Sequence, residues 1–223
     1  MRPLKIFTVL FVVFVSGFSE TAIADGGWIL RKDSDNIQVY TKQVEGSSYD
    51  AVKAITILFN VRLDSLVALI QDVEACADWA DKCAQSYVYE RLSDTEAYVY
   101  THNSLPFPIK DRDVLAHVTW SQDPLSYEIN MHSEATMGIM AEVKGWLRLT
   151  QANASWRFRP LASGGVEVRS EAHLNPGSSL PGWVTNMLLV DTPYQTMKSF
   201  AAEVAMPKYR NALVNFIKEP PEL

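Results

Sequence analysis

The feature that most constrains this chain is an apolar stripe near its C-terminal end. Between Leu180 and Val204, the residues Trp183, Met187, Val190, Tyr194, Met197, Ala201 and Val204 recur in steps of three and four. That is the spacing of one face of an α-helix. Pro181 suits its first turn, where a missing N–H costs nothing. A helix of about 25 residues is roughly 37 Å long at 1.5 Å per residue. It would cross a whole domain, and its stripe needs a cover of matching extent. Nearly everything between Gln38 and Asn175 reads as short strands, so the cover is expected to be a curved sheet. The expected class is α+β: a curved antiparallel sheet wrapped around a long C-terminal helix, with room between them for an apolar molecule.

The length of 223 residues suits one domain once the first two dozen are set aside. Those residues have the three parts of a secretory signal. Arg2 and Lys5 are the positive end, Ile6 to Phe18 is the apolar run, and Ala22-Ile23-Ala24 is a small-residue cleavage site. The run is short of the ~20 residues a membrane span needs; the alternative is an uncleaved anchor. The expected division is a signal peptide at 1–24 and one domain at 25–218, in the periplasm or secreted. The formal charge is −6. Losing Arg2, Lys5 and Glu20 with the signal removes a net +1 and leaves about −7. Such a chain has no basic face for nucleic acid and no polybasic handle for anionic membranes. The cysteines are Cys76 and Cys83. Export makes a disulfide the default, with two free thiols or half a metal site as alternatives. The metal reading is poor, because no histidine is near in sequence and two thiolates are too few.

Two strands are expected at Trp28–Arg31 and Ile37–Gln43, then a long one from Tyr49 to Asn60. Asp64 is the expected N-cap of a helix whose apolar face is Leu66, Leu69, Ile70 and Val73, followed by a short helical piece to Trp79. Strands are then expected at 86–92, 97–104, 112–121, 126–135, 143–151, 155–161 and 166–174, parted by turn residues. Alternation is clearest at Tyr127, Ile129, Met131, Ser133 and Ala135, which form one dry face. Thr192-Pro193 should interrupt the long helix, since proline removes a hydrogen bond. It is either a hinge or a static kink. A last short helix is expected over Lys208–Lys218.

Helices after the first strands, a run of antiparallel strands and a long terminal helix resemble the helix-grip fold. Several residue groups narrow this. They are Asp72-Val73-Glu74 with Trp79, Leu105-Pro106-Phe107-Pro108-Ile109 leading to Asp111-Arg112-Asp113, Gly145-Trp146-Leu147, Asn175-Pro176-Gly177, and Leu180-Pro181-Gly182-Trp183-Val184-Thr185-Asn186. In this order and spacing they resemble the START family, the steroidogenic-acute-regulatory-protein-related lipid-transfer domains, and its exported bacterial members most. The resemblance covers residues 28 to 205. It implies a tunnel between sheet and C-terminal helix that holds one lipid or sterol-like molecule, in a family that mostly carries ligand and seldom catalyses.

Arg112 shares a strand face with Val114, Ala116 and Val118, so its guanidinium is expected inside, where burial costs several kcal/mol unless it is paired. The flanking Asp111 and Asp113 point the other way. In sterol-carrying relatives an acid on the preceding strand pairs with this arginine; the matching residue here is the neutral Asn103. Arg112 is therefore expected to meet Asp191 or a polar or acidic headgroup, or else to be a solvated arginine at the sheet edge. The inward positions Tyr127, Met131, Trp183, Met187 and Tyr194 are candidates for ligand contact or plain core. The full candidate set is Asn103, Arg112, Tyr127, Met131, Trp183, Met187, Asp191 and Tyr194. The histidines, His102, His117, His132 and His173, form no ligand motif, and no nucleophile–base pair is evident. No cofactor and no metal are expected. The expected partners are a small hydrophobic ligand and transient contact with a membrane, with no nucleic acid, and the expected state is a monomer. The alternatives are an enzyme on the same fold, cyclase-like or hydrolytic, and a ligand-free interaction scaffold.

Overall fold

The computed structural model describes residues 23–24 and 26–221. The expected signal segment and its cleavage point fall almost wholly outside them. Strands β1 (Ile23–Ala24), β2 (Trp28–Ser34), β3 (Ile37–Lys42) and β4 (Ala51–Leu58) come first. Helix α1 (Leu63–Gln71), a 3-10 turn at Val73–Ala75 and α2 (Cys76–Trp79) follow. Then come β5 (Cys83–Ser93), β6 (Glu96–Asn103), β7 (Arg112–Gln122), β8 (Ile129–Ala135), β9 (Leu147–Arg148), β10 (Ala152–Pro160) and β11 (Val166–Leu174). The chain ends with α3 (Gly182–Asn186), a π-helical turn at Met187–Asp191, α4 (Thr192–Glu203) and α5 (Pro207–Arg210).

One sheet holds all the strands, in the order β1-β2-β3-β4-β11-β10-β8-β7-β6-β5, with β9 set parallel against β7. The pairs along the main path are antiparallel. Local chemistry fixes its hairpins: Asp35 and Asn36 both adopt positive φ (55° and 59°) between β2 and β3, as a two-residue turn matched to strand twist requires. Period-two alternation sends Val39, Ala54, Val168, Phe158, Trp156, Met131 and Ile129 to the concave face, where they are buried. The convex face carries Arg157 and Arg159 of β10 in cross-strand ion pairs with Glu167 of β11, and Arg169 paired with Glu171 along β11. Helix α4 lies inside the curve and buries Tyr194, Met197 and Phe200 against β3, β4 and α2. Phe200 meets Trp156 at 4.8 Å and Trp79 at 5.3 Å between ring centroids, and Trp79 meets Trp156 edge-on at 5.8 Å.

Several expectations are corrected. The strand expected at 143–151 shrinks to Leu147–Arg148, because residues 136–146 instead form a loop over the outside of the sheet. Arg148 binds that loop through the Met140 and Ala141 carbonyls, and grips the fully buried Asp113 at 3.0 and 2.9 Å. The strand expected from Ser126 starts only at Ile129. Tyr127 has φ 59°, and its N–H goes to the Asp123 carbonyl, so it belongs to a turn. The last helix ends at Arg210, and the chain beyond it runs on without regular structure.

Asp64 is not the cap of α1; Arg62 holds that position without a side-chain bond. The first amides of α1 are met from the far end of the chain. Glu219 accepts the Leu63 and Asp64 N–H groups at 3.2 and 2.9 Å, and Asp64 in turn accepts the Val214 N–H at 2.9 Å. A carboxylate at a helix N-terminus satisfies orphan donors and complements the helix dipole. Replacing a cap of this kind costs about 1 kcal/mol. Glu219→Ala is therefore expected to lower the urea-unfolding free energy by about that amount. An unchanged unfolding midpoint would show that the tail does not support α1.

Candidate ligand-binding site

Proline sets the geometry of the long helix. Pro193 has no N–H to give the Leu189 carbonyl, so the regular ladder cannot run through this point. The chain takes a wider turn instead: the Thr192 N–H reaches back five residues to the Met187 carbonyl. The extra residue rotates everything before it relative to α4. Trp183, expected on the inner stripe, is 55% exposed, and Leu188 and Leu189 face the sheet in place of Met187.

Between this turn and the sheet lies a cavity of about 510 Å³. Its walls include Val52 on β4, Trp156 on β10, Ser170, Ala172 and Leu174 on β11, and Leu180, Leu188, Leu189, Pro193 and Met197 on the helical side. The size is in the range of small-molecule sites. A second hollow, about 260 Å³, lies under β5–β8 against Val73 and Cys76. Trp79, Ala80, Asn103 and Trp156 border both.

A disulfide joins Cys76 and Cys83, with their Cα atoms 5.9 Å apart. The loop it closes carries Trp79, Ala80, Asp81 and Lys82, all in the wall of the larger cavity. That loop is held to the helix by polar contacts. Thr192 Oγ1 donates to Asp81 Oδ2 at 2.9 Å, and the Asp81 N–H donates to Thr196 Oγ1 at 3.0 Å.

Arg112 stands in the cavity wall and is 4% exposed. It donates to the Lys110 carbonyl, to Ser178 Oγ at 3.1 Å and, weakly, to the Pro176 carbonyl at 3.5 Å. Burial draws its pKa down from the ordinary arginine value, against an opposing pull from Asp111. Asn103 is its directly opposed neighbour on β6 and shares the cavity wall. Gly177 shapes the loop that brings Pro176 and Ser178 to Arg112. Its φ is +75°, and a Cβ there would collide with Leu147.

The other candidates are placed as follows. Met131 lines the smaller hollow. Tyr194 is buried in the core, with its hydroxyl on Asp35 at 2.7 Å and Lys32 Nζ 3.8 Å from its ring centre. Tyr127 packs against the core, and Met187 lies outside both linings. Asp191 is exposed, 3.8 Å from Lys32 Nζ. The contact foreseen between Arg112 and Asp191 is not made, because the π turn carries Asp191 outward. His102 is half-buried on the convex side, stacked on Trp146 at 3.7 Å and bonded to Asp111 Oδ2 at 2.8 Å.

The chain belongs to the START domain family, which it matches over residues 17–205. It is 31% identical over 200 residues to an uncharacterised protein of Pseudomonas aeruginosa, covering 89% of this chain and 96% of that one. A crystal structure of a STAR-related lipid transfer protein from Xanthomonas axonopodis superposes with a TM-score of 0.73 at 32% identity. It covers 81% of this chain and 99% of the other. Human StAR-related lipid transfer protein 5 shares the fold, with a TM-score of 0.73 at 13% identity over 81% of this chain and 88% of its own. The mouse START domain-containing protein 10 is 22% identical over 200 residues, and the match spans 65% of its length.

Asp111 anchors the loop beside Arg112 by accepting the Leu105 N–H at 3.0 Å. Partial burial pushes its carboxyl up, but the Leu105 amide and the His102 ring pull harder and hold it below the ordinary 3.8. A depressed carboxyl contributes stability above its ordinary pKa and loses it as pH falls through the folded value. Below about pH 4 the wild type is therefore expected to lose urea resistance more steeply than Asp111→Asn. Parallel pH profiles for the two proteins would refute this.

Proposed function

We propose that this protein binds, and passes on, a single lipid or sterol-like hydrophobic molecule in the cavity between its sheet and its C-terminal helix, without catalysing a reaction on it. The observation that carries the reading is an unfilled apolar space of about 510 Å³ beside a core in which Phe158, Phe200 and Val168 have 0% exposure. Burying a lipid tail there gains roughly 25 cal/mol per Å² of apolar surface removed from water. START family membership and the STAR-related lipid transfer protein of Xanthomonas axonopodis point the same way.

A binding role is favoured over catalysis because, among the described residues, no histidine lines either hollow and no cluster of His, Cys, Asp or Glu is set to hold a metal. The reading needs no cofactor and a single copy of the chain. The protein is taken to be exported, with a domain running from residue 25 to 218. The Cys76–Cys83 disulfide suits an oxidising compartment. No helix among the described residues is long and apolar enough to cross a membrane. Phe107, 95% exposed on the loop before Arg112, and the half-exposed Trp183 on α3 offer apolar side chains for a transient membrane contact during loading.

Mass spectrometry of organic extracts of the purified protein is expected to find one lipid per chain. Ala172→Trp, which fills the cavity from β11, is expected to abolish that lipid while the far-UV circular dichroism stays unchanged. Extracts free of lipid after reconstitution with a broad lipid mixture would overturn the proposal.

A further inference from the structure

We infer that the molecule held in this cavity carries an anionic headgroup, a carboxylate or phosphate, which Arg112 and Asn103 receive. The inference rests on the lipid-binding reading above and names the chemical class of its ligand.

Among the described residues, Arg112 is the one buried charged side chain in the larger cavity's wall. A guanidinium stays protonated in proteins, so its charge must be met by position rather than by losing a proton. Among the described residues no acid pairs with it: Asp50, half-buried in the same wall, makes no bond to it, and the others are committed elsewhere. Asp111 faces the convex side, with one oxygen on His102 and the other on the Leu105 amide. Asp113 is taken by Arg148 and by the Tyr100 hydroxyl at 3.1 Å. Asp191 is outside, beside Lys32. Asp81, on the cavity rim, accepts from Thr192 and Lys82. The oxygens that do reach Arg112 are two carbonyls and one hydroxyl, all neutral.

A second observation agrees. Among the described residues, three buried side-chain polar atoms lack a partner: Trp79 Nε1, Arg112 Nε and Arg157 Nε. Two of the three belong to residues of this cavity, and both are donors. Buried donors without acceptors are costly, so the missing complement is a group rich in acceptors. A carboxylate or phosphate meets a guanidinium with paired, charge-assisted bonds. Asn103, opposite Arg112 across the β6–β7 ladder, can add its amide N–H without repelling the anion. An aspartate at that position would neutralise Arg112 internally and repel a negative headgroup.

The test compares lipids with one tail and different heads, on the purified and delipidated protein. Oleate and oleoyl lysophosphatidate are expected to bind at least tenfold more tightly than oleyl alcohol and monooleoylglycerol. Arg112→Gln and, independently, Asn103→Asp are each expected to erase that difference while leaving the neutral lipids bound. Asn103→Asp adds an ion pair in place of removing one, so it keeps the test sharp if Arg112→Gln does not fold. Equal affinity for charged and neutral heads in the wild type would overturn the inference and leave lipid binding standing. Failure of every lipid to bind would overturn the lipid-binding reading itself. Acetate and inorganic phosphate are expected to bind at least a hundredfold more weakly than the lipids. Comparable binding of either would make this a free-anion site and overturn the headgroup assignment.

Discussion

The contact of Trp79, Trp156 and Phe200 decides what the rest of the molecule can do. Three large rings from the disulfide loop, the middle of the sheet and the C-terminal helix meet within 4.8 to 5.8 Å. Each removes a large apolar area from water, and edge-on and tilted arrangements suit their quadrupoles. They fix the helix to the sheet at its C-terminal half. The same rings mark where filling stops, because Trp79 and Trp156 border both hollows. On one side of them the core closes on Phe158 and Val168; on the other lies space.

That space follows from a local constraint. A straight helix through 182–203 would put Met187 and Trp183 in line with Tyr194 and Met197 and drive them at the sheet. Pro193 forbids that continuation, and the π turn aims Leu188 and Leu189 inward instead. The inward-facing residues on β11 opposite are Ser170, Ala172 and Leu174. The small side chains of Ser170 and Ala172 do not reach across to the leucines. A hollow between a proline-displaced helix and a strand with Ser and Ala inside is what these residue sizes dictate.

Much of this was legible in the sequence, for identifiable reasons. Period two marked the concave face from Val114 to Val118 and from Ile129 to Ser133, and nothing in those strands disturbs the pleat. The stripe at 3.6 residues marked Val190, Tyr194, Met197 and Val204, all of which are buried. It failed at Trp183 and Met187 because the period was carried unbroken through a proline, and one added residue in a turn displaces every position before it. The start of β8 failed for a related reason: a positive φ sets Tyr127 in a turn, although its side chain still packs against the core. Leu188, Leu189, Ser170 and Ala172 were passed over because a search for large apolar side chains finds core first. On β11 the cavity wall includes the small Ser170 and Ala172. The Glu219 contact with α1 spans 155 residues to Asp64, and no local pattern encodes a partner that distant.

The two ends of the long helix are held by different physics. At Phe200 the attachment is apolar burial, contributed over large surfaces. Near the π turn Val184 and Val190 are buried as well, and hydrogen bonds add to them: Asp81 to Thr192 and Thr196, and Arg112 to the 176–178 loop. Each such bond contributes about 1 kcal/mol net, far less than displacing a buried tryptophan, which costs about 3–5 kcal/mol by truncation. The disulfide sharpens this asymmetry. It ties Trp79 and Asp81 into one short closed loop, so the loop that braces the aromatic contact also supplies the polar contacts at the cavity rim. One covalent constraint spanning seven residues in sequence thus braces both the aromatic contact and the polar contacts at the cavity rim.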